Sequence, residues 1–339
     1  MGEYTSLIIS LLAAACFMLV SAGGCIQNQE AGAEAQPIRI AINVWPGYAH
    51  AFIAKKKGFF EKNGVNVEFV LKKDYTESTQ LYSSGEVDGF FGVYPDVLLM
   101  SSETVPVKVV YISDFSETGD VIIGRPGIKS LADLKGKTIG IDSANIFSHI
   151  FVFEALKDAG LTEADVRFEV VPALDVPAAL YEGRIDAGHT WEPAKSELLG
   201  NNYTALAYAN DVPGVIMDVL TINPELIAKN PKAVQGIVNA LLEAGTYLER
   251  EHDEGVRIMA EAENMSIEDM NSGLNGLMLM DLKQNSAAFT QSNETTSLYS
   301  TGADIIAFYL AHGQVMTAPK IGDVLEPKFV RSAKGGTAE

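Results

Sequence analysis

The sequence predicts an α/β fold of two lobes, each a mainly parallel sheet flanked by helices, joined by a two-stranded hinge. Three observations predict this fold. Strand-like and helix-like segments alternate from residue 38 onwards, which is typical of parallel sheets with helical crossovers. The alternation restarts near residue 138, and a stretch of the first half is repeated in the second. After residue 223 the pattern becomes almost entirely helical.

The first lobe begins with a segment of alternating apolar residues, 38–44, that predicts a strand. The turn Trp45-Pro46-Gly47-Tyr48 follows and leads into a helix that ends near Gly58. Further strands are predicted at 65–71, 87–92 and 107–112, with helices between them. The second lobe starts with the strand at 138–141.

The repeat relates residues 81–89 to residues 180–187. In both copies a helix ends at a Gly, a strand follows an Asp, and a Pro comes seven residues beyond that Asp, at Pro95 and Pro193. An aromatic residue precedes each Pro, Tyr94 in the first copy and Trp191 in the second. We interpret Asp88 and Asp186 as structural residues. Each strand leads to a helix N-terminus at the carboxyl edge of its sheet, where open parallel sheets bind ligands.

The strand at 216–222 follows the second lobe, and the helices after it have no strands of their own. We therefore assign those helices to the first lobe, which requires two crossovers, near 114–120 and 213–219, and hence a hinge. The predicted division is a first lobe of residues 38–115 and 220–320, a second lobe of residues 116–219, and a C-terminal tail of residues 321–339.

The N-terminal segment predicts export. Residues 7–20 form an apolar run that is shorter than a membrane-spanning helix but typical of a signal peptide, which we assign to residues 1–24. Small residues precede Cys25 and resemble a lipobox, so Cys25 is the predicted lipidation site and residues 25–37 the tether. We expect the protein at the outer face of the cytoplasmic membrane. Alternatively, Cys25 is an ordinary residue and the run is a permanent anchor.

Composition and motifs exclude several classes of chemistry. The net charge of -19 is spread along the chain, which disfavours nucleic-acid binding. The five histidines show no metal-ligand spacing, and the only cysteines are Cys16 and Cys25. Ser148 and His149 are sequence neighbours and point apart on a helix, and no Gly-x-Ser-x-Gly elbow is present. We expect a monomer that binds no metal, needs no cofactor and is not an enzyme.

Several motifs, in the same order, resemble those of one known family. The matching stretches are Trp45-Pro46-Gly47-Tyr48 with Gly58-Phe59-Phe60, Pro126-Gly127-Ile128 with residues 131–137, His149 with Ala155-Leu156, and Asp186 with Trp191-Glu192-Pro193. Over roughly residues 38–315, the chain is similar to the solute-binding proteins for nitrate, taurine, aliphatic sulfonates and thiamine precursors. The resemblance implies a periplasmic-binding-protein type II fold and an ABC permease and ATPase as partners.

The resemblance also implies a ligand site between the lobes. The residues expected to contact a small-molecule ligand are Trp45, Gly47, Tyr48, Tyr94, Phe115, Asn145, His149, Trp191, Glu192 and Asp218. A taurine-like or sulfonate-like solute, or nitrate, is the expected ligand. Glu192 and Asp218 suit a ligand with an amine, although both could instead have structural roles. Two alternatives remain: a binding protein for thiamine-pyrimidine precursors, or an enzyme on the same fold, such as a dehydratase or pyrimidine synthase.

Overall fold

The computed structural model describes residues 36–142 and 146–333, which form two β-sheets with surrounding helices. The signal peptide, Cys25, most of the tether, Asn145 and residues 334–339 lie outside the described residues. The strands are β1 (Ile38–Asn43), β2 (Val67–Lys72), β3 (Gly89–Val93), β4 (Lys108–Ser116), β5 (Val121–Gly124), β6 (Thr138–Ile141), β7 (Arg167–Val170), β8 (Ala187–Thr190), β9 (Thr204–Tyr208), β10 (Met217–Ile222) and β11 (Leu277–Leu279).

The two sheets have the same design. The first has the order β11-β4-β10-β3-β1-β2 and the second the order β7-β6-β8-β5-β9. In the first, β1 runs parallel to β2 and β3, and β10 runs antiparallel to β3 and β4. In the second, β6 runs parallel to β7 and β8, and β5 runs antiparallel to β8 and β9. The predicted α/β fold of two sheets is therefore confirmed, and each sheet is mixed, because β10 and β5 pair antiparallel with both of their neighbours.

Two chain segments connect the sheets. The chain leaves β4 through residues 117–120 to reach β5, and it returns from β9 to β10 through residues 209–216. The two segments are bonded to each other, because the backbone N–H of Asn210 donates to the Glu117 carbonyl at 2.7 Å and that of Ala209 donates to the Asp120 carbonyl at 3.1 Å. They form the two-stranded hinge that the sequence predicts.

Helices cover both sheets, and more of them cover the first. They are α1 (His50–Lys56), α2 (Phe59–Lys62), α3 (Tyr75–Ser83), α4 (Tyr94–Ser102), α5 (Ile146–Asp158), α6 (Val176–Tyr181), α7 (Ala194–Gly200), α8 (Pro224–Lys229), α9 (Pro231–Arg250), α10 (His252–Glu263), α11 (Ile267–Asn275), α12 (Leu282–Ala288), α13 (Leu298–Ala311), α14 (Ile321–Val324) and α15 (Lys328–Arg331). Short 3₁₀ turns span Leu131–Leu134, Glu163–Asp165, Ala173–Asp175 and Ala209–Asp211.

Local sequence explains where the main helices begin. The Asn223 side chain accepts a hydrogen bond from the backbone N–H of Glu225, and Pro224 occupies the first turn of α8. Asn230 and Pro231 begin α9 in the same way. The apolar face of α9 packs against α1 and α2, which buries positions such as Ile237 and Leu241 completely. Within residues 36–142 and 146–333, no helix combines the length and apolar character that crossing a bilayer requires.

The sequence repeat corresponds to a repeated structural unit. Gly85 and Gly183 end the helices before β3 and β8 with φ angles of 76° and 70°, a conformation that favours glycine. The Asp88 carboxylate accepts a hydrogen bond from the backbone N–H of Arg39 at 2.8 Å, and the Asp186 carboxylate accepts one from that of Thr138 at 2.9 Å. Both aspartates fix the start of a neighbouring strand, so their role is structural.

The segment assigned to a C-terminal tail is folded as far as residue 333. It contains α14 and α15, and Leu325 forms a parallel bridge with Val109 of β4. Phe329 and Val330 are buried. These apolar side chains cover the first sheet, which explains why the segment folds as part of the first lobe.

Candidate functional site

A small cavity lies at the hinge, where the carboxyl ends of the parallel strands of both sheets face each other, and its free volume of about 10 Å³ has room for about one water molecule. Its lining comes from the end of β1 and the turn after it, from α3, from the ends of β3 and β8, from α5 and from the hinge. The lining residues are Asn43, Trp45, Tyr48, Tyr75, Val93, Asp120, Phe147, Trp191, Ile216 and Asp218. Both lobes and both crossovers therefore contribute.

Aromatic rings form the walls of the cavity. The rings of Trp45 and Trp191, the two tryptophans of the chain, meet edge to face with centroids 6.1 Å apart. Tyr48 packs against Trp45 at 6.4 Å, and Tyr75 packs against Phe147 at 5.7 Å. The pairs Trp45–Trp191 and Tyr75–Phe147 each join one lobe to the other. Such walls suit a flat organic ligand.

A pair of buried carboxyl groups lies at the hinge side of the cavity. Asp114 of β4 and Asp218 of β10 are directly opposite each other in the antiparallel pair, and one carboxyl oxygen of each is buried without a hydrogen-bond partner among the described residues. The Tyr48 hydroxyl donates to Asp218, and the Trp45 indole N–H donates to Asp114 at 3.3 Å. Burial raises the pKa of Asp114 to about 7, and burial together with the charge of Asp114 raises the pKa of Asp218 well above its ordinary value. Burial therefore favours the protonated form of these carboxyl groups.

A third carboxylate, that of Asp120, belongs to a separate hydrogen-bonded chain. The Nε2 atom of His189 lies 2.9 Å from one oxygen of Asp120, and the Nδ1 atom lies 2.8 Å from the Ser148 hydroxyl. Asp120 lines the cavity, whereas the lining does not include Ser148 or His189. The chain of bonds therefore ends at the cavity in a carboxylate.

Four polar atoms of the lining are buried without a hydrogen-bond partner among the described residues. They are Oδ1 of Asn43, Oδ2 of Asp120, Oδ2 of Asp218 and Nε1 of Trp191. Orphaned buried polar atoms are rare and need an explanation, such as a bound ligand. The described lining contains no lysine or arginine. The cavity is therefore faced by three unpaired side-chain oxygens, one unpaired N–H donor and no basic group.

A larger groove, of about 500 Å³, lies on the first lobe beside His50, Tyr111 and Lys283. It is built from the first lobe alone, and none of the described orphaned polar atoms belongs to its lining. The smaller cavity is therefore the better candidate for the ligand site. In the described part of the chain, no three His, Cys, Asp or Glu side chains are grouped as a metal ion would require.

A family model described as NMT1/THI5 like matches residues 45–254, which is more than half of the chain. The chain belongs to the NMT1/THI5-like family. The matched region contains nine of the ten residues that line the cavity, all but Asn43.

Named relatives of this family member include a binding protein and an enzyme. The formylaminopyrimidine-binding protein of Halalkalibacterium halodurans is 26% identical over 270 residues, which cover 74% of this chain and 77% of that protein. The 4-amino-5-hydroxymethyl-2-methylpyrimidine phosphate synthase of Aspergillus parasiticus is 29% identical over 222 residues, which cover 60% and 63%.

Solved structures share the fold of this family member. The periplasmic aliphatic sulphonate binding protein SsuA from Escherichia coli superimposes with a TM-score of 0.69 at 16% identity, over 87% of this chain and 99% of that one. At this identity the likeness concerns the fold alone. It confirms the predicted two-lobed architecture of the periplasmic binding proteins.

The prediction that the chain is not an enzyme is wrong. It was drawn from missing catalytic motifs, but the relatives of this family member include the pyrimidine phosphate synthase of Aspergillus parasiticus. The family therefore contains both binding proteins and enzymes. Missing motifs do not separate the two, because a binding cleft and an active site can occupy the same place in one fold.

The structure brings four of the predicted ligand residues together at the cavity, namely Trp45, Tyr48, Trp191 and Asp218. Gly47 lies directly behind them. Its carbonyl accepts a hydrogen bond from the Ser113 hydroxyl at 2.6 Å, and a Cβ atom at this position would lie 2.1 Å from the Asp114 carboxylate. Only glycine leaves room for that carboxylate.

Two predicted aromatic residues lie elsewhere. Tyr94 is completely buried in the first lobe, where its hydroxyl donates to the Leu298 carbonyl of α13 at 3.1 Å. Phe115 belongs to β4, between β10 and β11, and is opposite Met217 and Met278. Neither side chain belongs to the described lining of the cavity.

His149 and Glu192 also point away from the cavity. His149 bonds to Glu163 and packs on the Phe168 ring.

The Glu192 carboxylate is already satisfied. It accepts hydrogen bonds from the backbone N–H of Ser196 at 3.0 Å and from the Ser272 hydroxyl at 2.7 Å, and it pairs with Lys195 at 3.1 Å. Ser272 belongs to α11 of the first lobe, so Glu192 links the lobes.

Sequence reasoning missed several residues of the site, above all Asn43, Asp114, Asp120 and His189. A signal existed for two of them. Asn43 and Asp114 come at or near the carboxyl ends of strands that the sequence does predict, and this is the edge at which parallel sheets bind ligands. Asp120 and His189 meet only because β5 pairs with β8.

Proposed function

We propose that the protein is an extracytoplasmic solute-binding protein of an ABC importer, and that it captures a flat, nitrogen-rich heterocycle of the aminopyrimidine class between its lobes. Membership of the NMT1/THI5-like family supports this proposal, and so do the relative named for binding formylaminopyrimidine and the fold shared with a periplasmic binding protein.

The observation that carries the proposal is the polarity of the cavity. The described lining offers orphaned acceptors on Asn43 and Asp120 and no basic side chain. A sulfonate or nitrate would have to lose its hydration shell beside carboxyl groups without gaining a positive partner, which is costly. The lining therefore disfavours the taurine-like or nitrate ligand that we expected from the sequence.

An aminopyrimidine complements the same groups. Its exocyclic amino group donates to acceptors such as Asn43 Oδ1 and Asp120 Oδ2, and its ring nitrogens accept from a donor such as Trp191 Nε1. Its flat ring can pack against the aromatic walls once the lobes part to admit it. A protonated carboxyl group, as in the Asp114–Asp218 pair, both donates and accepts, which matches the amidine edge of such a ring.

Lobe closure around the ligand would signal to the permease. At the mouth of the cleft, Lys73 of the first lobe pairs with Asp175 of the second at 3.0 Å, and the Thr76 hydroxyl donates to Asp142 at 3.1 Å. These contacts hold the lobes together only when they are closed, so closure changes the surface that partner proteins meet. A lipid on Cys25 would keep the protein beside the permease.

Intrinsic tryptophan fluorescence provides the test, because both tryptophans line the cavity. The purified full chain is titrated with 4-amino-5-hydroxymethyl-2-methylpyrimidine, with taurine and with nitrate. We expect a saturable change with the pyrimidine alone. Asp120→Asn, which keeps the size of the side chain, should weaken binding about tenfold or more. Tighter binding of taurine or nitrate than of the pyrimidine would refute the proposal.

A further inference from the structure

We propose that His189 determines the ligand specificity of this site by acting through Asp120. It holds the carboxylate of Asp120 with one oxygen turned towards the ligand. The site therefore prefers ligands that have an N–H donor opposite this oxygen. The inference rests on the proposed function, because it assigns a discriminating role within the same cavity. His189 itself stays behind the lining and is a positioning residue.

The hydrogen bonds of His189 assign the position of its ring proton. Nδ1 lies 2.8 Å from the hydroxyl oxygen of Ser148, and the backbone N–H of Asp142 donates to that oxygen at 3.3 Å. Oδ1 of Asp120 lies 2.9 Å from Nε2, and a carboxylate oxygen accepts hydrogen bonds, so the ring proton is assigned to Nε2. Nδ1 is then the acceptor that faces the Ser148 hydroxyl.

The imidazole is fixed in place by its surroundings. His189 belongs to β8 and is buried, with the rings of Phe151, Phe147 and Trp191 at centroid distances of 5.2, 5.5 and 5.7 Å. Rotating the ring would break both hydrogen bonds within this aromatic cage. Because Oδ1 of Asp120 is occupied by His189, the other oxygen, Oδ2, is the one left for the ligand.

The same three residue types form the nucleophilic triad of many hydrolases, but here the order is reversed with respect to the cavity. Asp120 lines the cavity, and the described lining does not include Ser148. A serine nucleophile has to reach the reacting carbon, and a carboxylate at that position cannot take its place in such a triad. The arrangement is therefore suited to selecting a ligand.

The expected consequence is discrimination between donor and acceptor groups. An ionised carboxylate accepts hydrogen bonds and donates none. A ligand with an amino group at this point gains a charge-assisted hydrogen bond, whereas one with a carbonyl oxygen brings two acceptors together. Without the Nε2–H donor of His189, the Asp120 carboxylate can rotate away from the ligand, so an amino group loses its charge-assisted hydrogen bond and the preference for it shrinks.

The test compares two variants and two probes. His189→Phe keeps a ring in the aromatic cage and removes the donor, whereas His189→Gln keeps an N–H donor on its amide. The probes are 4-amino-5-hydroxymethyl-2-methylpyrimidine and its 4-oxo counterpart, in which the donor–acceptor pattern is reversed. We expect the unaltered chain to prefer the amino probe by about 100-fold, His189→Phe to reduce this ratio to about tenfold or less, and His189→Gln to keep most of it.

The ratio of the two dissociation constants is the readout, because a purely structural loss would weaken both probes alike. An unchanged ratio in His189→Phe, with the amino probe still bound by the unaltered chain, would overturn the role of His189 and leave the proposed function intact. If the unaltered chain binds neither probe, the proposed function fails and the inference fails with it. Long-range ¹H–¹⁵N NMR adds a test that needs no ligand and no variant, in which a proton on Nδ1 of His189 would overturn the assignment.

Discussion

The two lobes share one strand order but present different side chains to the cavity. Five residues beyond Asp88 comes Val93, and five residues beyond Asp186 comes Trp191, and both line the cavity. The next residues, Tyr94 and Glu192, are both buried and hydrogen-bonded away from it. The repeat therefore determines which position lines the cavity. The residue type at that position, Val93 or Trp191, determines which side chain each lobe adds to the lining.

The lobes also differ in what covers them. The first lobe carries the helices of the C-terminal half of the chain, and α13 packs on α4, so the Tyr94 ring is enclosed. The second lobe consists of residues between the two crossovers and has fewer helices. At its carboxyl edge the Trp191 ring reaches across to Trp45 of the first lobe. An aromatic residue before a proline thus has opposite roles in the two lobes.

Replacing Trp191 and Tyr94 should show most clearly that these two aromatic residues have different roles. Trp191→Ala removes a cavity wall and the orphaned indole N–H, so we expect the affinity for the aminopyrimidine to fall about 100-fold or more. Tyr94→Phe removes one buried hydrogen bond, so affinity should stay unchanged while the free energy of unfolding falls by about 1 kcal/mol. Fluorescence from Trp45 and urea denaturation measure the two effects.

A loss of affinity in Tyr94→Phe as large as that in Trp191→Ala would contradict this assignment. Trp191→Ala is also expected to destabilise the protein, since it opens a cavity. Binding is therefore measured well below the urea concentration at which the variant unfolds.

The sequence was most informative where structure is local. The alternation of strands and helices, the left-handed Gly85 and Gly183 and the strand-anchoring Asp88 and Asp186 all depend on neighbouring residues, and they predicted the fold. The site was only partly predictable. Trp45 and Trp191 stand beside turn signals, at the ends of predicted strands.

The missed residues meet through long-range strand pairing. Asp114 lies opposite Asp218 because β4 and β10 pair in a particular register, and a single strand does not reveal that register. The family resemblance, not the repeat, suggested Tyr94 as a ligand residue. Matching the two copies of the repeat by distance from the Asp pairs Trp191 with Val93.

The smallest predicted effect is a loss of stability on replacing Asp88 or Asp186, the two aspartates that anchor strands. Asp88→Ala and Asp186→Ala each leave the backbone N–H of a strand without its acceptor, so each should lower the free energy of unfolding by about 1–3 kcal/mol. The loss should be slightly larger for Asp186, which also pairs with the half-exposed Arg125 at 2.6 Å. Urea denaturation measures both values, and Asp→Asn at each position, which keeps an acceptor oxygen, is the control. A loss confined to one lobe would show that the two aspartates are not equivalent.

A crystal structure of the chain with 4-amino-5-hydroxymethyl-2-methylpyrimidine tests the central claim most directly. We predict that the pyrimidine ring packs against the aromatic rings of Trp45 and Trp191, with its amino nitrogen within about 3.2 Å of Asp120 Oδ2. A pyrimidine bound instead in the groove beside His50 and Tyr111, with the cavity between the lobes unchanged, would contradict the account.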